Sequence, residues 1–310
     1  MFASPSADPS RPEGAPVGIL LVDKPGGITS HDVVSRARRA LNTRKIGHAG
    51  TLDPMATGLL VLGVGGATRL LTFVVGLDKT YTTTIRLGAT TDTDDAEGEI
   101  TQRADAARLA AVGDHEIAAG VAALTGPISQ VPSTVSAIKV AGRRAYDLAR
   151  EGAEVTLTAR EVTVSRFEVL AVRRHPDGID IDAVVDCSSG TYIRALARDL
   201  GAGLGVGGHL TALRRTRIGT FDVADAAALD DLSVEGLMDA AAAAERAMPR
   251  VDVDADEARD LRHGKRLAGA GSRLAGERGA AVDPEGRLVG VIERRGADLK
   301  STMNMPEVSA

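Results

Sequence analysis

One carboxylate and one imidazole share a heavily specified loop: within residues 47–60, Gly-His-Ala-Gly-Thr-Leu-Asp-Pro-Met-Ala-Thr-Gly-Leu-Leu, His48 and Asp53 are the ionisable side chains. A carboxylate can act as a nucleophile or stabilise positive charge, and a carboxylate with an imidazole can also serve a hydrolase. Three glycines, with Pro54 locking its own φ and pushing Asp53 toward extended conformations, describe a shaped loop rather than a helix or strand. The apolar run 59–64 follows at once, so the loop enters a buried strand. An Asp-Pro pair is also ordinary turn chemistry, and the local pattern leaves both readings open.

The remaining chemistry sits on alternating strands and at one helix start. The chain has no Trp, four Phe and three Tyr, the last being Tyr81, Tyr146 and Tyr192. In a core of Leu, Val, Ile and Ala, a tyrosine is either satisfied at the core edge or kept for its ring and hydroxyl. Tyr81 begins a strand over residues 80–87, sharing a face with Thr83, Ile85 and Leu87. Residues 179–187 alternate, with Ile179, Ile181, Ala183, Val185 and Cys187 on one face and Asp180, Asp182 and Asp186 on the other. The lone cysteine is thus a nucleophilic thiol or a small buried hydrophobe, and its apolar company favours the second. Ser188-Ser-Gly-Thr then opens a helix with Ile193, Leu196, Ala197, Leu200 and Leu204 as its apolar stripe and Gly205 as its stop. Tyr192 and Arg194 lie in its first turn, an aromatic and a guanidinium at a strand-to-helix junction.

Other elements must hold these groups in place. Residues 18–23 read as a short strand, Lys24-Pro-Gly-Gly as a turn, and Ser30 as the N-cap of a helix whose Arg36, Arg38 and Arg39 form a basic outer face. A helix is predicted around residues 68–75. The acidic residues Asp92, Asp94, Asp95, Glu97 and Glu99 fall out of step with a calcium loop, because Ala96 and Gly98 occupy the wrong places, and they predict a solvated turn between strands. Residues 126–152, rich in Pro and Ser and then basic, predict a functional flap. Residues 240–244 predict a helix, and 288–293 with 299–305 a terminal hairpin.

At 310 residues the chain calls for a large domain and a small companion. No apolar run is long enough for a membrane helix, and residues 1–16 lack the apolar core of a signal peptide. With one cysteine there is no intrachain disulfide, and the cytoplasm is expected. The net charge of −5 conceals polarity. Residues 24–45 hold six cations against Asp32, and 194–217 five against Asp199, whereas 222–260 hold twelve acids and three arginines. The basic segments suit a phosphate backbone.

Residues 47–60 match, nearly letter for letter, the Gly-His-x-Gly-x-Leu-Asp-Pro-x-Ala-x-Gly-x-Leu signature of the TruB family of tRNA pseudouridine synthases. Lys79-Thr-Tyr81 resembles that family's Lys-x-Tyr motif, Gly190-Thr-Tyr-Ile-Arg194 its third motif, and Leu213-Arg-Arg closes the likeness. Gln130-Val-Pro-Ser, Ser136-Ala-Ile-Lys, Arg143-Arg-Ala-Tyr146 and Arg150-Glu-Gly resemble the thumb that closes on RNA. The resemblance spans residues 17–224. It implies an α+β fold with a mixed, largely antiparallel central sheet and flanking helices, in a catalytic domain over residues 17–248. A disordered extension over 1–16, a thumb-like insertion at about 126–152 and a small β-rich, PUA-like domain over 249–310 complete the expected layout.

The same resemblance implies isomerisation of a T-loop uridine of tRNA, at position 55, to pseudouridine. The N1–C1′ bond breaks, the uracil turns and rejoins through C5, with no redox change and no cofactor or metal. Asp53 would be the essential carboxylate, able to attack C1′, add to the base or remove a sugar proton. Arg194 would pair with Asp53 and hold it ionised, Tyr81 would stack on the uracil and relay a proton, and Tyr192 and Leu213 would complete the pocket. His48 would fill the gap left by the flipped base, Lys24 would support the pocket, and the cations of the first helix and of residues 194–217 would take phosphates. The T-arm stem-loop is the expected partner of a monomer with no membrane or obligate protein partner. Two other readings are an RNA chaperone of the same fold, which the intact Asp53, Tyr81 and Arg194 set argues against, and an Asp53/His48 hydrolase, which lacks a second acid–base or metal cluster.

Overall fold

The alternating strands assemble into one large sheet in the computed structural model, which describes residues 15–133, 139–140, 143–144 and 157–306. Nearly all of the expected N-terminal extension, and much of the expected thumb including Tyr146, lie outside the described residues.

β1 (Gly18–Lys24) leads into the helix Ser30–Ala40, followed by β2 (Ile46–Ala49) and β3 (Thr57–Val64). The helix Leu71–Val75 precedes β4 (Lys79–Leu87). A small arm of β5 (Ala89–Thr91) and β6 (Ile100–Arg103), then the helices Ala106–Ala111 and Asp114–Ala123, come before β7 (Gly126–Gln130). β8 (Lys139–Val140) and β9 (Arg143–Arg144) pair with each other. β10 (Arg160–His175), β11 (Gly178–Cys187), the helix Ile193–Gly203, β12 (Gly208–Ile218), β13 (Phe221–Asp222) and β14 (Ala227–Ala228) finish the main unit. Its ten-stranded sheet runs β14-β1-β3-β12-β4-β11-β10-β7, with β2 beside β3 and β13 beside β12. The β1–β14 and β3–β12 pairs are parallel and the rest antiparallel, as expected of a mixed, largely antiparallel sheet.

β3 and β12 meet through two residue pairs, Arg214 with Thr57 and Arg215 with Gly58. This seam separates two halves, each with its own apolar packing. Tyr81, Ile85, Ile181, Val185, Leu196 and Leu213 pack on one side of it. On the other, Ile19, Leu59 and Val61 fill one face of β1 and β3, while Leu20, Val22, Leu60 and Leu62 pack with helix residues Val33, Val34 and Ala37 on the opposite face. Leu52 and Ala56 lie in the loop before β3 yet pack into the core across the seam.

After the helix Ala240–Ala247, a separate C-terminal sheet forms from β15 (Arg250–Asp252), β16 (Arg266–Leu267), β17 (Arg278–Val282), β18 (Leu288–Arg295) and β19 (Asp298–Asn304). Its alternation buries Ala280, Val282 and Val291 against the alanine-rich helix, and Ala281, Val289 and Ile292 with Ala258 and Leu261 of the helix Ala255–Arg262.

Three local expectations need correction. The first helix is capped by Thr29, not Ser30: the Thr29 hydroxyl accepts from the Asp32 amide, and the Asp32 carboxylate accepts from the Thr29 amide. The acidic turn after β5 is not simply solvated, because Asp95 is buried and Asp94 and Asp95 face arginines. The excursion expected from residue 126 starts later, since Gly126–Gln130 pairs with β10 residue for residue.

Candidate active site

Several tethers fix the loop that carries Asp53. The Ala56 amide donates to the Asp53 carbonyl at 3.1 Å, closing a turn, and the Gly27 amide donates to the Pro54 carbonyl at 2.9 Å. Ser30, freed from capping, donates its hydroxyl to the Leu52 carbonyl at 3.1 Å and accepts from the Leu52 amide at 2.9 Å. Lys24, fully buried, donates Nζ to the carbonyls of Pro25, Pro54 and Ala56 at 2.9, 3.2 and 2.6 Å. Burial lowers its pKa to about 8, with the Asp53 charge acting in the opposite sense. Gly58 closes the loop at φ +99°, and a Cβ there would stand 2.2 Å from the Arg215 carbonyl oxygen, so the approach of β3 to β12 requires glycine.

Asp53 keeps 35% of its side chain accessible and places Oδ2 3.0 Å from Nε of the buried Arg194. Arg194 also lies 3.4 Å from Oδ2 of buried Asp95 and donates to the Thr93 carbonyl at 2.7 Å. Asp95 is itself held by the Thr93 hydroxyl at 2.7 Å and the Glu97 amide at 3.0 Å. The guanidinium therefore bridges the loop and the arm. Burial pushes the Asp53 carboxyl up from the ordinary carboxylate range, Arg194 works against that rise, and the Asp95 charge reinforces it.

Tyr81 is buried in the same apolar cluster as Leu52 and Ala56 of the Asp53 loop and Leu213 of β12. Burial raises its phenol's pKa, opposed by the charge and hydrogen bond of Arg215. Tyr192 caps the helix Ile193–Gly203; its amide donates to Oε1 of buried Gln130 at 2.8 Å and its carbonyl accepts from Nε2 at 3.0 Å. His48 is half-buried on β2 opposite Leu62. Asp53 thus meets Arg194, Tyr81 and Leu213 share an apolar cluster with the loop's Leu52 and Ala56, Lys24 tethers the loop backbone, and Tyr192 and His48 sit on separate elements.

The phosphate-binding role expected of residues 194–217 is overturned for Arg194 and Arg215, which are buried. Arg198 pairs with Asp94 and Asp199, Arg214 with Asp23, and Arg217 with Asp186. On the first helix, half-buried Arg38 donates to the Ile46 carbonyl, and exposed Arg36 lies 3.6 Å from Asp230; Arg39, and Arg44 and Lys45 beyond the helix, are also exposed cations. Cys187 is 1% exposed and burial pushes its thiol up to about 11, which suits a core residue and not a nucleophile. Arg215, Asp95 and Gln130 escaped notice as individual site residues. Arg215 had one signal, since a strand's period of two places it on the same side as Leu213. No described helix is long and apolar enough to cross a membrane.

Residues 38–193 match the model of the TruB family pseudouridylate synthase N-terminal domain. Residues 194–253 match the tRNA pseudouridylate synthase B C-terminal domain, and 248–306 the tRNA pseudouridine synthase II C-terminal model. The chain is 59% identical to tRNA pseudouridine synthase B of Leifsonia xyli subsp. xyli, covering 93% of this chain and 96% of that protein. It is 53% identical to the same-named protein of Paenarthrobacter aurescens, over 92% of this chain and 94% of the other. Among solved structures it is similar in fold to an H/ACA RNP bound to a substrate RNA containing 2′-deoxyuridine, with TM-score 0.69 and 24% identity over 94% of this chain and 86% of that one. A Cbf5-Nop10-Gar1 complex gives the same score and identity over 97% and 90% of the two chains.

Proposed function

The chain belongs to the TruB family of pseudouridylate synthases, and on that premise we propose that it isomerises a T-loop uridine of tRNA, position 55, with Asp53 as the essential carboxylate. It is a tRNA pseudouridine synthase, an isomerase. The observation that supports the finer reading is one juxtaposition: an accessible carboxylate paired to a buried guanidinium, on a loop whose Leu52 and Ala56 share an apolar cluster with Tyr81 and Leu213.

Cleaving N1–C1′ and rejoining at C5 moves one proton and leaves the composition of the RNA unchanged. Attack on C1′, addition to the base and removal of a sugar proton each require Asp53 in its ionised form. Arg194 favours that form against the cost of burial and fixes the carboxylate's direction. A uridine inside the folded T-loop reaches this pocket only when turned out of its stack, so base flipping is part of the proposal. Tyr81 then stacks on the uracil, Leu213 closes the other side, Tyr192 lines the entrance, and His48 fills the place the base has left. Residues 17–248 form the catalytic unit in this reading, with 249–310 as a small companion acting alongside it in a cytoplasmic monomer.

Pseudouridine mapping in bulk tRNA incubated with the purified protein tests this directly. A new pseudouridine confined to the T-loop is expected. Modification elsewhere, or none, would overturn the assignment.

A further inference from the structure

Gln130 is 2% exposed, at the end of β7 on the rim of the large sheet. A buried carboxamide must place its acceptor and its donors on partners, so the groups it bonds are informative. Both ends of this one meet a single backbone residue: Oε1 accepts from the Tyr192 amide at 2.8 Å and Nε2 donates to the Tyr192 carbonyl at 3.0 Å. Tyr192 is the N-cap of the helix Ile193–Gly203, and its carbonyl also accepts from the Leu196 amide at 3.2 Å. Two bonds of opposite sense are what a neighbouring strand would offer, here supplied by one side chain to the start of a helix.

The junction between β11 and this helix is clamped at both ends. Ser188 is fixed to β10, its amide donating to the Thr163 carbonyl at 2.8 Å and its hydroxyl accepting from the Thr163 amide at 2.9 Å. Tyr192 is fixed to β7 by Gln130. Between them Gly190 stands at φ +89° with open space where a Cβ would be, so packing does not set the path of the chain there. Two residues beyond Tyr192, the Arg194 guanidinium lies 3.0 Å from Asp53 and 3.4 Å from Asp95. One turn further on, Arg198 donates to the Val131 carbonyl at 2.7 Å, so consecutive residues at the end of β7 grip the helix on either side of Arg194. We propose that Gln130 is a positioning residue for the isomerisation: by holding the backbone of Tyr192 it sets the first turn of the helix so that the Arg194 guanidinium meets the Asp53 carboxylate. The inference rests on the reading that ionised Asp53 carries the chemistry.

A pH profile separates positioning from plain support of the fold. Besides Arg194, the charges of Asp95 and Glu97 on the arm and of Lys24 on β1 act on Asp53, and Tyr81 of β4 is neutral across the acid range. Of these groups Arg194 alone lies on the helix that Gln130 holds. Gln130→Met removes both bonds at nearly constant volume. In the full chain, single-turnover pseudouridine formation in a T-arm stem-loop is expected to fall about tenfold, with the stem-loop Kd changed less than about threefold. The acid limb of turnover should move to higher pH, the direction expected of Arg194→Gln, because the displaced turn carries the cation away from the carboxylate. In an Arg194→Gln background the same substitution should cost less than about threefold more, since the two residues act through one contact. Wild-type turnover in folded Gln130→Met, an acid limb unmoved or moved to lower pH, or fully multiplicative losses would overturn the proposal. Should Gln130→Met fail to fold, Gln130→Asn keeps the amide but is one methylene short of Tyr192; at least about a threefold loss of turnover at constant Kd, with the acid limb moved the same way, is expected. Wild-type behaviour of that variant overturns the proposal equally. Asp53→Asn tells the two levels apart: substantial turnover by it removes the underlying reading and the proposal together, whereas an inactive Asp53→Asn beside a wild-type Gln130→Met overturns the role of Gln130 alone.

Discussion

Arg194 places Nε 3.0 Å from Oδ2 of Asp53 while the same guanidinium faces Asp95 at 3.4 Å. Burial is the largest influence on Asp53 and raises its pKa; Arg194 is the largest one lowering it. The ionised form is the active one, so turnover is expected to fall as pH drops through a pKa above the ordinary aspartate value. Removing the cation in Arg194→Gln takes away the lowering influence, and the acid limb should move to higher pH. Single-turnover rates across pH for both proteins decide this; an acid limb unmoved or moved to lower pH contradicts the assignment.

The loop backbone is fixed by Lys24, Ser30, Gly58 and its own turn, none of which uses the Asp53 side chain. Asp53→Asn should therefore leave the fold and the stem-loop Kd nearly unchanged while turnover drops on the order of a thousandfold or more. Substantial turnover by this variant, with deamidation back to Asp excluded by mass spectrometry, would place the chemistry on another residue.

Exposed cations near the first helix should bind phosphates despite the acidic whole. Arg39→Glu and Arg44→Glu are expected to raise the Kd for tRNA and to reduce the slope of log K against log salt by about one for each phosphate no longer neutralised. Arg38→Glu differs, because its guanidinium is tied to the Ile46 carbonyl, and it should lower the melting temperature as well. Affinity independent of salt in the native protein would rule out a phosphate-binding face.

Cys187→Ala removes one buried atom from a packed core and should cost about 1 kcal/mol in denaturant unfolding, with turnover intact. Loss of turnover in the folded variant would revive a thiol mechanism.

Much of the frame was legible because period-two alternation survives in the strands that matter: β4 and β11 bury the residues their patterns indicated. The pairing of Asp53 with Arg194 was not a local signal, since the two are far apart in sequence, and it came from the motif likeness. Thr29 and Ser30 are both competent caps; Asp32 stands three residues after Thr29 and not after Ser30, and that spacing selects the capping box. Arg215 was read with its neighbours as surface charge, although its strand position turns it inward. Asp95 carried no signal at all, because an acidic turn looks solvated until a buried arginine is known to face it.

The two-residue seam between β3 and β12 also bears on how the molecule assembles. β3 pairs with β1 across a connection that holds one helix and β2, whereas β12 docks on β4 only after the intervening strands have been made. Each half can therefore form most of its own hydrogen bonds before the two are joined, and the join must close a long loop. The amides of Thr57, Gly58, Arg214 and Arg215 should then gain protection last in pulsed hydrogen exchange during refolding. Because Gly58 sits in that join and Leu52 and Ala56 pack across it, a nascent chain would hold every residue of the site and no site, until the final closure creates it in one step.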